Sequence, residues 1–328
     1  MHTSLCLSAS GGESSNETSG PHPRSRHFPL ADLRGASPPA PQWFRKAIAM
    51  QPERLTFTAS NAEIELLLWG KRGNPGLLFL HGDGAHADWW SFIAPFFARD
   101  WRCAAISWSG MGRSGRRAEY SLEGYAEEAL AAIEFVALDD APVGPIVVAH
   151  SLGGYPALIA GASPGTFRAI VLVDSGIVTP PATLDLSRPP PRPHPIFPTL
   201  EAALARFRFR PAHVVENDYI TDYIARASLS PVPGGWTWCV DPELLSSFEI
   251  RDMHRLLLAA RCPLAYICGE QSPLLDGDVI RTLTKLLPRN TPFVAVPEAG
   301  HHVMIDQPLA FVATLRALLA GKLAKKDR

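Results

Sequence analysis

Val147-Val148-Ala149-His150-Ser151-Leu152-Gly153-Gly154 is the stretch on which the reading of this chain turns. An apolar run ends in a serine, and small residues surround the point where a helical pattern takes over. The spacing predicts a buried strand, a sharp turn with Ser151 at its apex, and a helix over Leu152 to Gly161 with Pro156 in the first turn, where a missing N–H costs little. A serine on such a strained turn needs small neighbours, because no bulky side chain fits beside it. The turn lifts the hydroxyl above the sheet edge, and the helix N-terminus behind it favours developing negative charge. Ser151 is therefore a candidate nucleophile.

Working outward, short runs that are apolar almost throughout occur at Leu77 to Leu80, Ala104 to Ile106, Ile146 to Ala149 and Ile170 to Val173, and again at Leu264 to Ile267 and Phe293 to Val296. Strands buried on both faces read this way, whereas half-exposed strands alternate. Leu55 to Thr58 and Ile64 to Leu68 read as a strand pair. Helical patterns cover Tyr125 to Leu138, Val279 to Leu287 and Leu309 to Leu323. The expected fold class is α/β, a mainly parallel sheet flanked by helices.

Proline marks the interruptions. The chain of 328 residues holds 31 prolines, about twice the usual share of roughly 5%. Residues 1–41 are Pro-, Ser- and Gly-rich and read as a disordered leader. A first part of the core is expected over 42–175 and a second over 251–328. Between them, 176–250 opens on a second proline cluster and carries Phe197, Phe207, Phe209, His213, Tyr219, Tyr223, Trp236 and Trp238. So long a stretch without structure is improbable inside a compact domain, so an inserted helical cap is expected.

Composition narrows the role. Hydrophobic residues make up 46% and charged residues 19%, and the formal net charge is -1. No electrostatic footprint for nucleic acid results, and no apolar run has the roughly 18 residues of a membrane span. Five scattered cysteines (Cys6, Cys103, Cys239, Cys262, Cys268) form no CxxC pair, so neither a disulfide framework nor a zinc site is expected. A reducing, cytoplasmic location is the simplest expectation. Asn16-Glu17-Thr18 matches a glycosylation sequon, which without an export signal reads as chance.

The elbow around Ser151, His81-Gly82-Asp83-Gly84 after one strand, and Pro297-Glu298-Ala299-Gly300-His301-His302 after the last strand together resemble the α/β-hydrolase superfamily. The resemblance runs from Trp43 to about Leu323. It implies that His301, directly after the glycine, is the base, with His302 a neighbour. It also implies that the backbone N–H groups of Asp83 and Leu152 form an oxyanion hole. Ser109-Gly110-Met111-Gly112-Arg113-Ser114 is similar to a family loop, with Ser107 or Ser109 near the usual aspartate. It lacks the Gly-Lys-Ser/Thr of a phosphate-binding loop.

The acid departs from the common pattern. Gly269-Glu270-Gln271-Ser272 places Ser272 where most members carry an aspartate, and a serine cannot hold an imidazolium as a carboxylate does. Asp174, at the end of the strand after the nucleophile helix, is the expected acid. Asp276 and Glu270 are the alternatives, and Ser272 is expected to support the histidine through a hydrogen bond. The function so implied is hydrolysis of a small carboxylic ester by a serine enzyme, without metal or organic cofactor. Lactonase, amidase, thioesterase, carbon–carbon bond hydrolase and cofactor-free peroxidase activities use the same frame. A ligand receptor or degenerate scaffold is the non-enzymatic alternative. The expected partner is a small molecule, with an apolar or aromatic acyl group suggested by the aromatics of 176–250. Arg206, Arg208 and Arg210 read as a solvated face or as contacts for an anionic substrate. Oligomeric state is not legible.

Overall fold

In a computed structural model of the protein, residues 28–139, 144–176, 193–212, 215–244, 252–321 and 323 are described. Eight strands make one sheet: β1 (Glu53–Ala59), β2 (Ala62–Trp69), β3 (Gly76–Leu80), β4 (Arg102–Ile106), β5 (Ile146–His150), β6 (Ala169–Val173), then β9 (Leu264–Gly269) and β10 (Phe293–Val296). A separate hairpin pairs β7 (Leu229–Val232) with β8 (Gly235–Trp238). The sheet order is β1-β2-β4-β3-β5-β6-β9-β10. β1 and β2 pair antiparallel across the Ser60-Asn61 turn, both of whose residues have positive φ, as a two-residue hairpin requires. β2 meets β4 antiparallel, and every pairing from β4 to β10 is parallel.

The unbroken apolar runs now have their cause. Along β3, Leu77 and Phe79 enter one hydrophobic cluster while Leu78 and Leu80 enter the other. Along β6, Ala169, Val171 and Val173 face the first and Ile170 and Leu172 the second. Alternate side chains thus feed two cores, one on each side of the sheet. The first core packs against α1 (Gln42–Ala49) and α8 (Pro308–Ala320) through Phe44, Phe311 and Leu315. The second is covered by α2 (Leu122–Phe135), α3 (Gly154–Ala160), α6 (Met253–Ala259) and α7 (Gly277–Leu286). α2 begins three residues earlier than the apolar pattern indicates, because the Ser121 hydroxyl caps it by accepting from Gly124 N–H at 3.0 Å.

Two expectations differ from the structure. Part of the proline-rich leader is packed: Leu30 is buried, and the Gly35 carbonyl accepts a hydrogen bond from Arg226. Composition reported the prolines but not these long-range contacts. Residues 1–27, with the sequon and Cys6, lie outside the described residues. The insert between β6 and β9 is not wholly helical. It holds α4 (Leu200–Leu204), α5 (Asp218–Ala227) and the β7–β8 hairpin, whose strands of four residues and internal Pro231 hide its pattern. It is fastened to the sheet by polar contacts: Tyr223 donates to Asp88, which Arg54 grips through two hydrogen bonds, and Asn217 donates to the carbonyls of Ile305 and Asp306. Among the described residues no helix is long and apolar enough to cross a membrane.

The topology decides where ligands go. From β3 the chain steps to β4 on one side, and β5 then pairs on the other side of β3. In open parallel sheets the crevice at the carboxyl ends of two such strands is where ligands bind. Here that crevice lies between the loop starting at His81 and the turn at Ser151.

Candidate active site

Ser151 occupies the step from β5 into a single 3-10 turn (Ser151–Gly153) that leads into α3. Its φ of 51° is left-handed, a costly conformation for a non-glycine residue that persists only where the surroundings enforce it. They do. A Cβ on Gly153 would stand 2.7 Å from the His81 carbonyl oxygen, and one on Gly154 would stand 2.5 Å from Ser175 Oγ. On the facing loop, a Cβ on Gly82 would approach Ser151 Cβ to 2.9 Å. Leu152 follows at the start of the turn, where backbone N–H groups have no partner within the turn.

The second assembly lies where β6, β9 and β10 end. Asp174 is fully buried and also has positive φ, 46°. Its Oδ2 accepts from His301 Nδ1 at 2.7 Å and from Ser272 Oγ at 2.6 Å, while its Oδ1 accepts from Gly269 N–H at 2.9 Å. Ser272 therefore holds the carboxylate, not the imidazole as expected. The loop bearing His301 crosses the end of β9, where a Cβ on Gly269 would overlap the Gly300 carbonyl oxygen. The alternative acids are occupied elsewhere: Asp276 caps α7 by accepting from Asp278 N–H and Val279 N–H, and Glu270 accepts from Glu298 N–H on an exposed loop.

Both assemblies open on one cavity of about 220 Å³, lined by Gly82, Asp83, Ala85, Trp89, His150, Ser151, Arg210, Pro211, Leu274, His301 and His302. The structure thus brings Ser151, His301 and Asp83 to one space and ties Asp174 to His301. Both Trp89 and Trp90 belong to the first core, and of the two only Trp89 also lines the cavity. The insert contributes Arg210 and Pro211. Its other aromatics, Phe197, Tyr219, Tyr223, Trp236 and Trp238, pack against the first core, and His213 lies outside the described residues. Arg206 and Arg208 rest over the Phe28 ring, 4.5 and 5.9 Å from its centroid.

Two side chains whose contacts the sequence does not reveal, His81 and Glu65, support this geometry. His81 Nδ1–H donates to the Gly82 carbonyl at 2.7 Å, and its Nε2 accepts from Trp108 N–H at 3.1 Å. The Trp108 indole N–H returns to the His81 carbonyl at 3.0 Å, so the loop before Asp83 is clamped to the end of β4. Glu65 plays a similar part on the Ser109-to-Ser114 loop, accepting from Ser107 Oγ at 2.8 Å and from Arg113 N–H at 3.2 Å. An aspartate-like anchor thus comes from β2 rather than from the loop itself.

Comparison with known proteins agrees with this architecture. A family model described as "Alpha/beta hydrolase family" matches residues 77–315. The chain belongs to the alpha/beta hydrolase family. Solved structures similar to this chain include the thioesterase domain from the curacin biosynthetic pathway, at 21% identity over 81% of this chain and 99% of that one, with a TM-score of 0.66. E-2-(acetamidomethylene)succinate hydrolase matches at 20% identity over 82% of this chain and 100% of its own, TM-score 0.67. An esterase from Mycobacterium tuberculosis matches at 21% over 88% and 95%, TM-score 0.63. At these identities the likeness is one of fold.

Three buried histidines give the protein a predictable response to acid. Burial lowers the pKa of His81 to about 3, and it also depresses His86 and, together with the nearby His301, His150. Each binds a proton more readily in the unfolded chain, so its contribution to stability is full above about pH 6.5 and declines below it. The decline is up to about 1.4 kcal/mol per pH unit for each group. The carboxylate of Asp88 is held below its ordinary value by Arg54, so its contribution is lost only as pH falls toward the ordinary value near 3.8, below the range from pH 7 to pH 5. Urea midpoints are expected to fall steadily from pH 7 to pH 5; a flat midpoint over that range would contradict the burial of neutral imidazoles.

Proposed function

We propose that the protein is a serine hydrolase acting on small carboxylic esters, with Ser151 as nucleophile, His301 as base and Asp174 as acid. The observation that carries this reading is the 2.7 Å contact of Asp174 Oδ2 with His301 Nδ1 beside a strained serine in the same cavity. With Nδ1 held by the carboxylate, His301 presents Nε2 to the cavity in the tautomer that accepts a proton.

The chemistry then runs in two halves. His301 Nε2 takes the Ser151 proton as Oγ attacks the ester carbonyl carbon, and the resulting oxyanion rests on the N–H groups of Asp83 and Leu152. Collapse expels the alcohol, which takes the proton back from His301, and leaves an acyl group on Ser151. Water, deprotonated by His301, attacks that acyl group. The second collapse frees the carboxylic acid and restores the Ser151 hydroxyl. Asp174 orients the imidazole and stabilises its cation throughout, and Ser272 and Gly269 hold Asp174 in turn. The volume of about 220 Å³ favours a small acyl group, and Trp89, Ala85 and Leu274 favour an apolar one. The insert contributes Arg210 and Pro211 to the wall of this cavity. The names of similar structures, an esterase, a thioesterase and a succinate-derivative hydrolase, are consistent with acyl transfer.

A fluorophosphonate probe is expected to label the wild-type protein at Ser151 and to leave Ser151→Ala unlabelled. Asp174→Asn should lower kcat on p-nitrophenyl butyrate by about a thousandfold or more. Asp276→Asn should cost little, since asparagine caps a helix as well as aspartate. Near-normal turnover in Asp174→Asn with loss in Asp276→Asn would reverse the assignment of the acid.

Arg210 favours one refinement of substrate class. It lines the cavity, and among the described residues it forms no ion pair. An ester carrying a second carboxylate would give it a partner. The ratio of kcat/KM for p-nitrophenyl hemisuccinate to that for p-nitrophenyl butyrate should fall by about tenfold in Arg210→Gln, the scale of one charge-assisted hydrogen bond. An unchanged ratio would remove Arg210 from substrate recognition.

A further inference from the structure

Three imidazoles meet at the wall of the cavity. His150, His301 and His302 are all buried, all line the cavity, and each offers a ring nitrogen within 4.8 Å of the others. Two of them are already held from behind. His301 Nδ1–H donates to Asp174, and His150 Nε2–H donates to the His301 carbonyl oxygen at 3.1 Å. Each bond fixes a tautomer and leaves the opposite nitrogen with its lone pair: Nε2 on His301 and Nδ1 on His150. Among the described residues the buried His150 Nδ1 has no hydrogen-bond partner. Gly82 keeps the space beside it open, since a Cβ there would stand 3.1 Å from that nitrogen.

A carboxylate or carbonyl on the far nitrogen is the support that metal-binding histidines characteristically have, because it orients the ring and raises its basicity. The polar demands of the nearest carboxylate are met: both oxygens of Asp174 are engaged with Gly269, Ser272 and His301, so the donor set here is imidazole. We propose that His150, His301 and His302 form a binding site for a borderline transition-metal ion of the Zn²⁺ or Cu²⁺ class, and that occupancy blocks hydrolysis. Imidazole donors suit Zn²⁺, Cu²⁺, Ni²⁺ and Co²⁺, whereas Mg²⁺ and Ca²⁺ require oxygen. With bonds of about 2.0–2.1 Å, nitrogens around a tetrahedral ion sit about 3.4 Å apart, so the rings converge by about an ångström on binding. Water or the Ser151 hydroxyl completes the coordination. The metal takes the Nε2 lone pair that would receive the Ser151 proton. The block on activity therefore rests on the proposed hydrolase reading, while the site itself does not.

Two measurements separate these parts. Co²⁺ added to the Ser151→Ala protein should bind at one equivalent with visible absorption bands of a nitrogen-ligated ion. His302→Ala and His302→Gln, each placed in that background and checked for native circular dichroism, should lose those bands. In the wild-type protein, Zn²⁺ should lower p-nitrophenyl butyrate turnover by at least about a hundredfold at saturation, the contribution of a general base. EDTA should restore it, and Mg²⁺ at equal concentration should have no effect. Absence of a saturable Co²⁺ spectrum, or a spectrum that survives both His302 substitutions, would overturn the site. Hydrolysis that proceeds normally with Co²⁺ bound would overturn the block. Co²⁺ binding in a protein that neither hydrolyses esters nor labels with fluorophosphonate would uphold the site and sink the hydrolase reading instead.

Discussion

The carboxylate of Asp174 ties three strand ends together from a position with no exposure to solvent. It accepts from the backbone at the end of β9, from Ser272 one turn further on, and from His301 beyond β10, while its own N–H donates to Ile267. A buried charge is costly unless its oxygens are satisfied, and here three donors satisfy them. The position of the imidazole follows from this arrangement, and the elbow on β5 opens on the same cavity because parallel strands all end at the same edge of the sheet. The parallel order of β3, β5, β6, β9 and β10 is thus the condition for the site, and the two-sided core is the condition for the parallel order.

Much of this was legible in the residues themselves. Two cores require strands apolar on both faces, and unbroken apolar runs such as Ile146 to Ala149 report that directly. Small residues around Ser151 report a turn with no room, and the 2.5 and 2.7 Å clearances at Gly154 and Gly153 are its physical counterpart. Asp174 stands where a strand stops, a position the sequence marks, and Asp276 caps a helix end. What stayed hidden depends on contacts between distant parts of the chain. His81 gives no sign in sequence that it grips Trp108, Ser272 none that it reaches Asp174 rather than the imidazole, and Glu65 none that it anchors a loop about 50 residues away.

The insert illustrates the same limit from the other side. Its aromatics advertised a hydrophobic surface but not which surface they cover, and most of them pack against the sheet's first core. The cavity receives an arginine and a proline from it instead. The insert is held by hydrogen bonds to Asp88, Ile305 and Asp306, so the residue that lines the cavity beside Asp88, Trp89, is positioned by the same contacts that seat the insert. The cavity wall and the seating of the insert thus meet in one short segment, Asp88-Trp89.

The central claim is spatial: one hydroxyl, one imidazole and two backbone N–H groups converge on a single point. A crystal structure of the protein after reaction with a small phosphonate inhibitor tests it most directly. The account predicts phosphorus bonded to Ser151 Oγ, the phosphoryl oxygen within hydrogen-bond distance of the Asp83 and Leu152 N–H groups, and His301 Nε2 facing the adduct with Asp174 still bound to Nδ1. An adduct on another residue, or one whose phosphoryl oxygen points away from both N–H groups, would contradict it.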